Sequence, residues 1–192
     1  MGQELSAFAR VLEDPARPLV AILGGAKISD KLAVVRHLIP RVNAVLVGGA
    51  MAYTFLKSQG HAVGSSRVEE SFVGECAEVL KAARLRGVDV LLPSDHLCAR
   101  QFDSDEAVLQ PLAIPDGWMG LDIGPATIRS YSERIAKAGT IVWNGPMGVF
   151  ERAAYSRGTR AIAEAVAHCP GYTVVGGGDS AVEEATYLTK FA

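Results

Sequence analysis

The chain has 192 residues, 49% of them apolar and 21% charged, with a formal net charge of −2. That size and balance suit one sizeable globular domain or two small ones. No Lys/Arg block stands out, which argues against a nucleic-acid surface. Three well-separated cysteines, Cys76, Cys98 and Cys169, do not make a disulfide framework and fit a reducing cytoplasm.

The four histidines are scattered and neither C-x-x-C nor H-E-x-x-H occurs, so no zinc site is expected. No stretch is apolar for the length of a membrane helix. The start lacks the basic and apolar regions of a secretory signal. Met1-Gly2-Gln3-Glu4-Leu5-Ser6 matches the loose myristoylation pattern, but that pattern is short and common. An ordinary amphipathic helix start is the better reading.

In chain order, Leu5, Phe8 and Leu12 form a helical stripe ending before Pro15. Leu19 to Leu23 reads as a buried strand. Ile28, Leu32, Val35 and Ile39 recur at helical spacing up to Pro40. Ala44 to Val47 is a second strand, and Met51 to Ser58 a helix running toward Gly60. Phe72, Cys76, Val79, Leu80 and Ala83 mark a long helix closed by Gly87, and Val88 to Leu92 a third strand. From Pro93 to Gly117 the alternation breaks. His96 to Phe102 reads as a further strand and Asp103 to Glu106 as a solvated turn; that acidic cluster lacks the pattern of a calcium loop.

Trp118 to Ile123 resumes a strand, and Gly124-Pro125 opens a helix carrying Ile128, Tyr131 and Ile135. Thr140 to Trp143 is a strand. Tyr155, Thr159, Ile162 and Val166 share a helix face. Tyr172 to Val175 is the last strand, followed by a helix from Ser180. The strands are apolar with little alternation, which means burial on both faces. The expectation is a single α/β domain over 1–192: a three-layer, doubly wound, Rossmann-like, mostly parallel sheet of about six strands.

Three strand ends run into glycine turns: Gly24-Gly25, Gly48-Gly49 and Gly176-Gly177-Gly178-Asp179. In such sheets ligands sit at the carboxyl ends of the strands, so the three turns should line one edge. After the first turn, Lys27 and Lys31 are four apart and should share one face of the first helical turns. A helix start with two ammonium groups suits a polyphosphate. The phosphate loop G-x-x-x-x-G-K-[ST] is absent, which disfavours that NTPase class. Gly176-x-Gly178-x-x-Ala181 satisfies a dinucleotide pattern, yet the chain runs only 11 residues beyond Ala181, short of the acidic residue expected about 20 positions on.

Five segments now carry a family resemblance. They are Leu23 to Lys31 (LGGAKISDK), Val47 to Leu56 (VGGAMAYTFL), Gly117 to Pro125 (GWMGLDIGP), Trp143 to Glu151 (WNGPMGVFE) and Gly176 to Ser180 (GGGDS). In that order and spacing they resemble the phosphoglycerate kinases, over essentially the whole chain. The resemblance is to the C-terminal, nucleotide-binding half. Nothing resembles the N-terminal half that binds phosphoglycerate, and the family's final Gly-rich turn has no counterpart before Ala192. A cut domain, inactive alone, is the expectation.

The resemblance implies roles. Lys27 would meet the transferred phosphoryl group as the catalytic cation, and Lys31 would hold the nucleotide phosphates. Asp179 would hold magnesium, with an N-cap as its structural alternative. Ser180 stands where threonine is common, beside the phosphates that Gly176, Gly177 and Gly178 leave room for. Asn144 and Pro146 would touch the phosphate and nucleotide sides of their loop, and Glu151 the ribose hydroxyls. Gly25, Gly49, Ala50, Gly120, Leu121 and Val149 would form the adenine slot, where Ala50 replaces a common glycine. Trp143 is a core residue, and the cysteines and histidines take no functional role.

The implied reaction is phosphoryl transfer between 1,3-bisphosphoglycerate and Mg-ADP in glycolysis. The implied partners are ADP or ATP, with phosphoglycerate reached only through the other half. No nucleic acid or membrane is expected, and the chain reads as a cytoplasmic monomer. A non-catalytic adenine-nucleotide module and an NAD-binding half-domain are the alternatives.

Overall fold

The computed structural model describes residues 14–176. The helix expected around Leu5 to Leu12, the myristoylation pattern, and Gly177, Gly178, Asp179 and Ser180 with the helix after them lie outside the described residues.

The first strand, β1 (Leu19–Leu23), is buried along its whole length. It is flanked by β2 (Ala44–Val47) and β7 (Thr140–Asn144), both parallel to it. With β3 (Asp89–Leu91) and β8 (Tyr172–Gly176) they form a five-stranded parallel sheet in the order β3-β2-β1-β7-β8.

Alternation along β1 divides the core. Leu19, Ala21 and Leu23 pack with residues of α1 (Leu32–Leu38), α2 (Met51–Ser58) and α3 (Val73–Leu85) on one face. Val20 and Ile22 pack with Tyr131 and Ile135 of α4 (Pro125–Ile135) and Ile162 and Val166 of α5 (Arg157–Ala167) on the other. Period-two side chains on a strand between two helical layers require apolar residues at every position. The expected three-layer α/β architecture is therefore present.

Two expectations need correction. The stretch that broke the alternation does not add strands to the parallel sheet. It makes a second, antiparallel sheet, β5-β4-β6, from β4 (Asp95–Ala99), β5 (Val108–Pro111) and β6 (Met119–Ile123). The parallel sheet thus has five strands among the described residues. Its neighbour holds the strand read at Trp118 to Ile123, and β5 carried too weak a pattern, with alternate positions exposed, to be read at all.

The second correction concerns the first helix, which begins at Leu32 and not at Ile28. Lys31 is its N-cap and Lys27 lies in the irregular loop before it, so the two do not share a helical face. The carboxylate of Glu69, far along the chain, accepts the N–H groups of Ile28 and Ser29, and Ile28 O accepts those of Lys31 and Leu32, so residues 28–31 form a turn that leads into the helix. Similarly Tyr155 sits in a short 3-10 turn (Ala153–Tyr155) ahead of α5.

Both helices on the second face are capped by buried aspartates from the small sheet. Asp95 of β4 accepts the N–H groups of Ala126 and Thr127 at 2.9 and 2.8 Å. Asp122 of β6 accepts that of Gly158 at 2.7 Å. Carboxylates at helix starts satisfy orphan donors and oppose the dipole. Here they also fasten the two sheets to a common helical layer.

Candidate functional site

The carboxyl edge of the parallel sheet is built by backbone stitching. Gly24 N–H donates to Asn144 O at 2.9 Å and Gly25 N–H to Pro146 O at 3.1 Å. Gly48 N–H donates to Leu23 O and Gly49 N–H to Met147 O, each at 2.8 Å. The loops after β1, β2 and β7 are thus one interlocked layer. Gly49 shows why the sequence needs glycine here. Its φ is +67°, and a Cβ would lie 2.5 Å from both the nitrogen and the oxygen of Gly25.

Register places the three glycine turns together. Leu23 pairs with Val47 and with Asn144, and Asn144 pairs with Gly176. Gly24, Gly48 and Gly176 therefore share one edge, as expected.

A cleft of about 610 Å³ opens between this edge and the small antiparallel sheet. Its lining includes Gly25, Gly49, Ala50, Gly120, Leu121, Pro146, Val149 and Glu151. The structure brings these candidates into one mostly apolar hollow of the size that small-ligand sites take.

A second group stands beside the cleft at the same edge. The Lys31 ammonium donates to Asn144 Oδ1, and Asn144 Nδ2 donates to the carbonyl of Gly176 at 2.9 Å. Lys31 is half-buried, whereas Lys27 is exposed. Gly177, Gly178, Asp179 and Ser180 fall outside the described residues.

Tyr53, Arg67, Phe102, Met119 and Arg152 also face the cleft, and the sequence reading gives none of them a role. Tyr53 lies within the resembling segment Val47 to Leu56 and within the helix expected over Met51 to Ser58. Its hydroxyl occupies the space a Cβ on Gly120 would need, 1.9 Å from that position. A glycine in β6 is thus what admits the phenol to the cleft wall. Glu69 was also missed. Burial works against its charge, but the bonds from Ser29 and Ile28 outweigh that and hold its carboxyl below the usual range.

Behind Tyr53, His96 is fully buried. The His96 ring lies 5.4 Å from the Tyr53 ring, and neither of its nitrogens has a hydrogen-bond partner among the described residues. Burial pushes the imidazole down to about 4, against the pull of Asp95. Burial pushes Asp122 up to about 7, against the N–H bonds of Gly158 and Ile123. Burial also raises the thiols of Cys76 and Cys98 to about 12, which leaves them unreactive core residues. Trp143 is core too, and its Nε1–H donates to Gly145 O at 2.7 Å, bracing the loop after β7.

With this geometry in place, comparison with known proteins is decisive. The family model described as "Phosphoglycerate kinase" matches residues 1–191. This chain belongs to the phosphoglycerate kinase family.

Phosphoglycerate kinases from Roseiflexus castenholzii and Anaeromyxobacter dehalogenans are each 52% identical to it, over 94% and 98% of its length. The solved phosphoglycerate kinase of Coxiella burnetii superposes with a TM-score of 0.91 at 39% identity, covering 97% of this chain and 48% of that one. That of Pyrococcus horikoshii gives 0.82 at 31% identity, with the same coverages. The chain spans about half the length of the curated phosphoglycerate kinases it matches, 46% and 48% for the two relatives above. No helix among the described residues is long and apolar enough to cross a membrane.

Proposed function

We propose that residues 1–192 form the nucleotide-binding domain of a phosphoglycerate kinase. It would serve reversible phosphoryl transfer between 1,3-bisphosphoglycerate and Mg-ADP, giving 3-phosphoglycerate and Mg-ATP, in the cytoplasm. One observation carries this reading. An apolar cleft ends, on a single sheet edge, beside a polar row made by Lys31, Asn144 and Gly176. A purine needs the first and a phosphate chain the second.

In this reading the base lies between the Gly25/Gly49/Ala50 side and the Gly120/Leu121 side, with Val149 and Pro146 closing the slot. Glu151, exposed at the cleft rim, accepts from the ribose hydroxyls. Lys31 holds the phosphates, its ammonium aimed by Asn144. Lys27, exposed ahead of α1, meets the group in flight. Such transfer needs positioned charge more than covalent help. Gly176, Gly177, Gly178 and Ser180 border the phosphates.

Magnesium, when bound, neutralises phosphate charge. Asp179 would hold it, three residues after Gly176, whose carbonyl is tied to the sheet edge by Asn144. Phosphoglycerate would be brought by a region outside this chain. On its own the chain would bind nucleotide without measurable turnover, because alignment of donor and acceptor, worth roughly 7–11 kcal/mol, is missing.

Calorimetry with Mg-ADP, Mg-ATP and NAD tests the reading. The expected result is weak binding of both adenine nucleotides, on the order of tens of micromolar to millimolar, and none of NAD. NAD binding in preference to Mg-ADP would overturn it.

A further inference from the structure

The connection between β4 and β5, residues 100–107, forms one wall of the cleft through Phe102. It has little apolar anchorage of its own. Gln101, Phe102, Asp103, Asp105, Glu106 and Ala107 are all exposed, Phe102 by 60%. Its internal bonds are two, Ser104 N–H to Gln101 O and Glu106 N–H to Ser104 Oγ, both at 3.2 Å. Segments with so few buried contacts open at small free-energy cost.

What holds this segment comes from another loop of the cleft lining. Arg152 follows Glu151 in the loop between β7 and α5. Its Nη1 donates to Phe102 O, and its Nη2 to Asp103 O at 2.6 Å and to Asp105 Oδ1 at 2.5 Å. The hydroxyl of Tyr155, whose ring is fully buried, donates to Ser104 O at 2.6 Å. The guanidinium lies over that ring, 5.5 Å from its centroid. Four successive residues, Phe102 to Asp105, are thus gripped from one direction. The rigid planar fork spreads its donors widely enough to reach two carbonyls and a carboxylate on three different residues.

From this we infer that Arg152, braced by Tyr155, is a positioning residue for the nucleotide: it latches the β4–β5 loop to the Glu151 loop and so sets the width of the cleft that Phe102 walls. The inference rests on the nucleotide reading above and adds a residue to it. Arg152 need not touch the ligand. With the latch cut, the ordering of residues 101–106 becomes part of the binding step and affinity falls.

Two measurements test this. The first is amide exchange of the ligand-free chain. Arg152→Ala should speed exchange at residues 101–106 while β1 and β7 stay protected and the melting temperature shows the chain folded. The second is Mg-ADP calorimetry on wild type, Arg152→Ala, Arg152→Lys, Phe102→Ala and the Arg152/Phe102 double variant. Arg152→Ala should weaken binding about five- to tenfold, and Arg152→Lys should recover little of it. Adding Arg152→Ala to Phe102→Ala should cost almost nothing more, since both act through one wall. Asp105→Asn, at an exposed site that leaves the core untouched, should give a smaller loss in the same direction.

Wild type that binds but is matched by Arg152→Ala overturns the inference alone, as do strictly additive losses. Wild type that binds no Mg-ADP overturns the nucleotide reading and this role with it.

Discussion

Lys31 and Asn144 lie 113 positions apart in the chain, yet the ammonium of one donates to the amide oxygen of the other. The bond aims a cation along the sheet edge, and Asn144 is itself fixed by its bond to the Gly176 carbonyl. A half-buried, aimed cation loses less freedom on meeting a phosphate than an exposed one.

Lys31→Ala should therefore weaken Mg-ADP binding more than Lys27→Ala does. A loss of about tenfold for Lys31 fits a charge-assisted bond, against about threefold or less for Lys27. Titration of both variants checks this. Equal losses would contradict the division of roles between the two lysines.

Gly49→Ala should destabilise the fold far more than Gly60→Ala. Both glycines have positive φ, +67° and +83°, but a Cβ at Gly60 meets nothing within 4 Å. Gly60→Ala then carries only the left-handed strain, about 1–2 kcal/mol. Gly49→Ala adds the collision with Gly25 and should cost about 2–5 kcal/mol. Urea unfolding measures both. A Gly49→Ala loss no larger than that of Gly60→Ala would mean the stitched loops give way easily.

His96 and Asp122 should push stability in opposite directions with pH. The folded His96 titrates near 4 against an ordinary 6.5, so below 6.5 the unfolded state takes the proton first and stability falls as pH drops. The folded Asp122 titrates near 7 against 3.8, so the folded state keeps its proton longer and stability falls as pH rises through that range. Each slope is at most about 1.4 kcal/mol per pH unit, and between pH 4.5 and 6.5 they oppose. Unfolding curves at several pH values should show the wild-type advantage over His96→Leu growing with pH and that over Asp122→Asn shrinking. Two differences of the same sign would refute the pairing.

Asp179→Asn should reduce the magnesium dependence of nucleotide binding without unfolding the chain. The motive is a carboxylate three residues past a β-strand end that Asn144 holds at the polar row. Titration with and without magnesium should give a smaller difference in the variant. An unchanged difference would leave Asp179 as a helix cap.

Much of this was legible in the chain. Leu19 to Leu23 and Ala44 to Val47 have no polar member, and only strands buried on both faces read that way. The glycine turns marked their carboxyl ends, and the resembling segments named most of the cleft lining. The misreadings share a cause in long-range contacts. Ile28 fits the helical period of Leu32 and Val35 but lies in the turn ahead of the helix, where Glu69, far along the chain, accepts its N–H and that of Ser29. Phe102 reads as the end of a strand and Arg152 takes no role, because nothing local shows that they meet. Trp118 to Ile123 was legible as a strand, but its sheet was not, since pairing partners leave no trace in one strand's composition.

The strand order carries a consequence for how the protein is made. β1 is sandwiched between β2 and β7, and synthesis delivers β1 through β6 before Thr140 to Asn144 emerges. Until then one side of β1 presents unpaired backbone between two apolar faces, and Gly24 and Gly25 lack the carbonyls of Asn144 and Pro146 that anchor them. The floor of the cleft is completed late, and in that interval the unpaired edge of β1 is a hazard for pairing with a neighbouring chain.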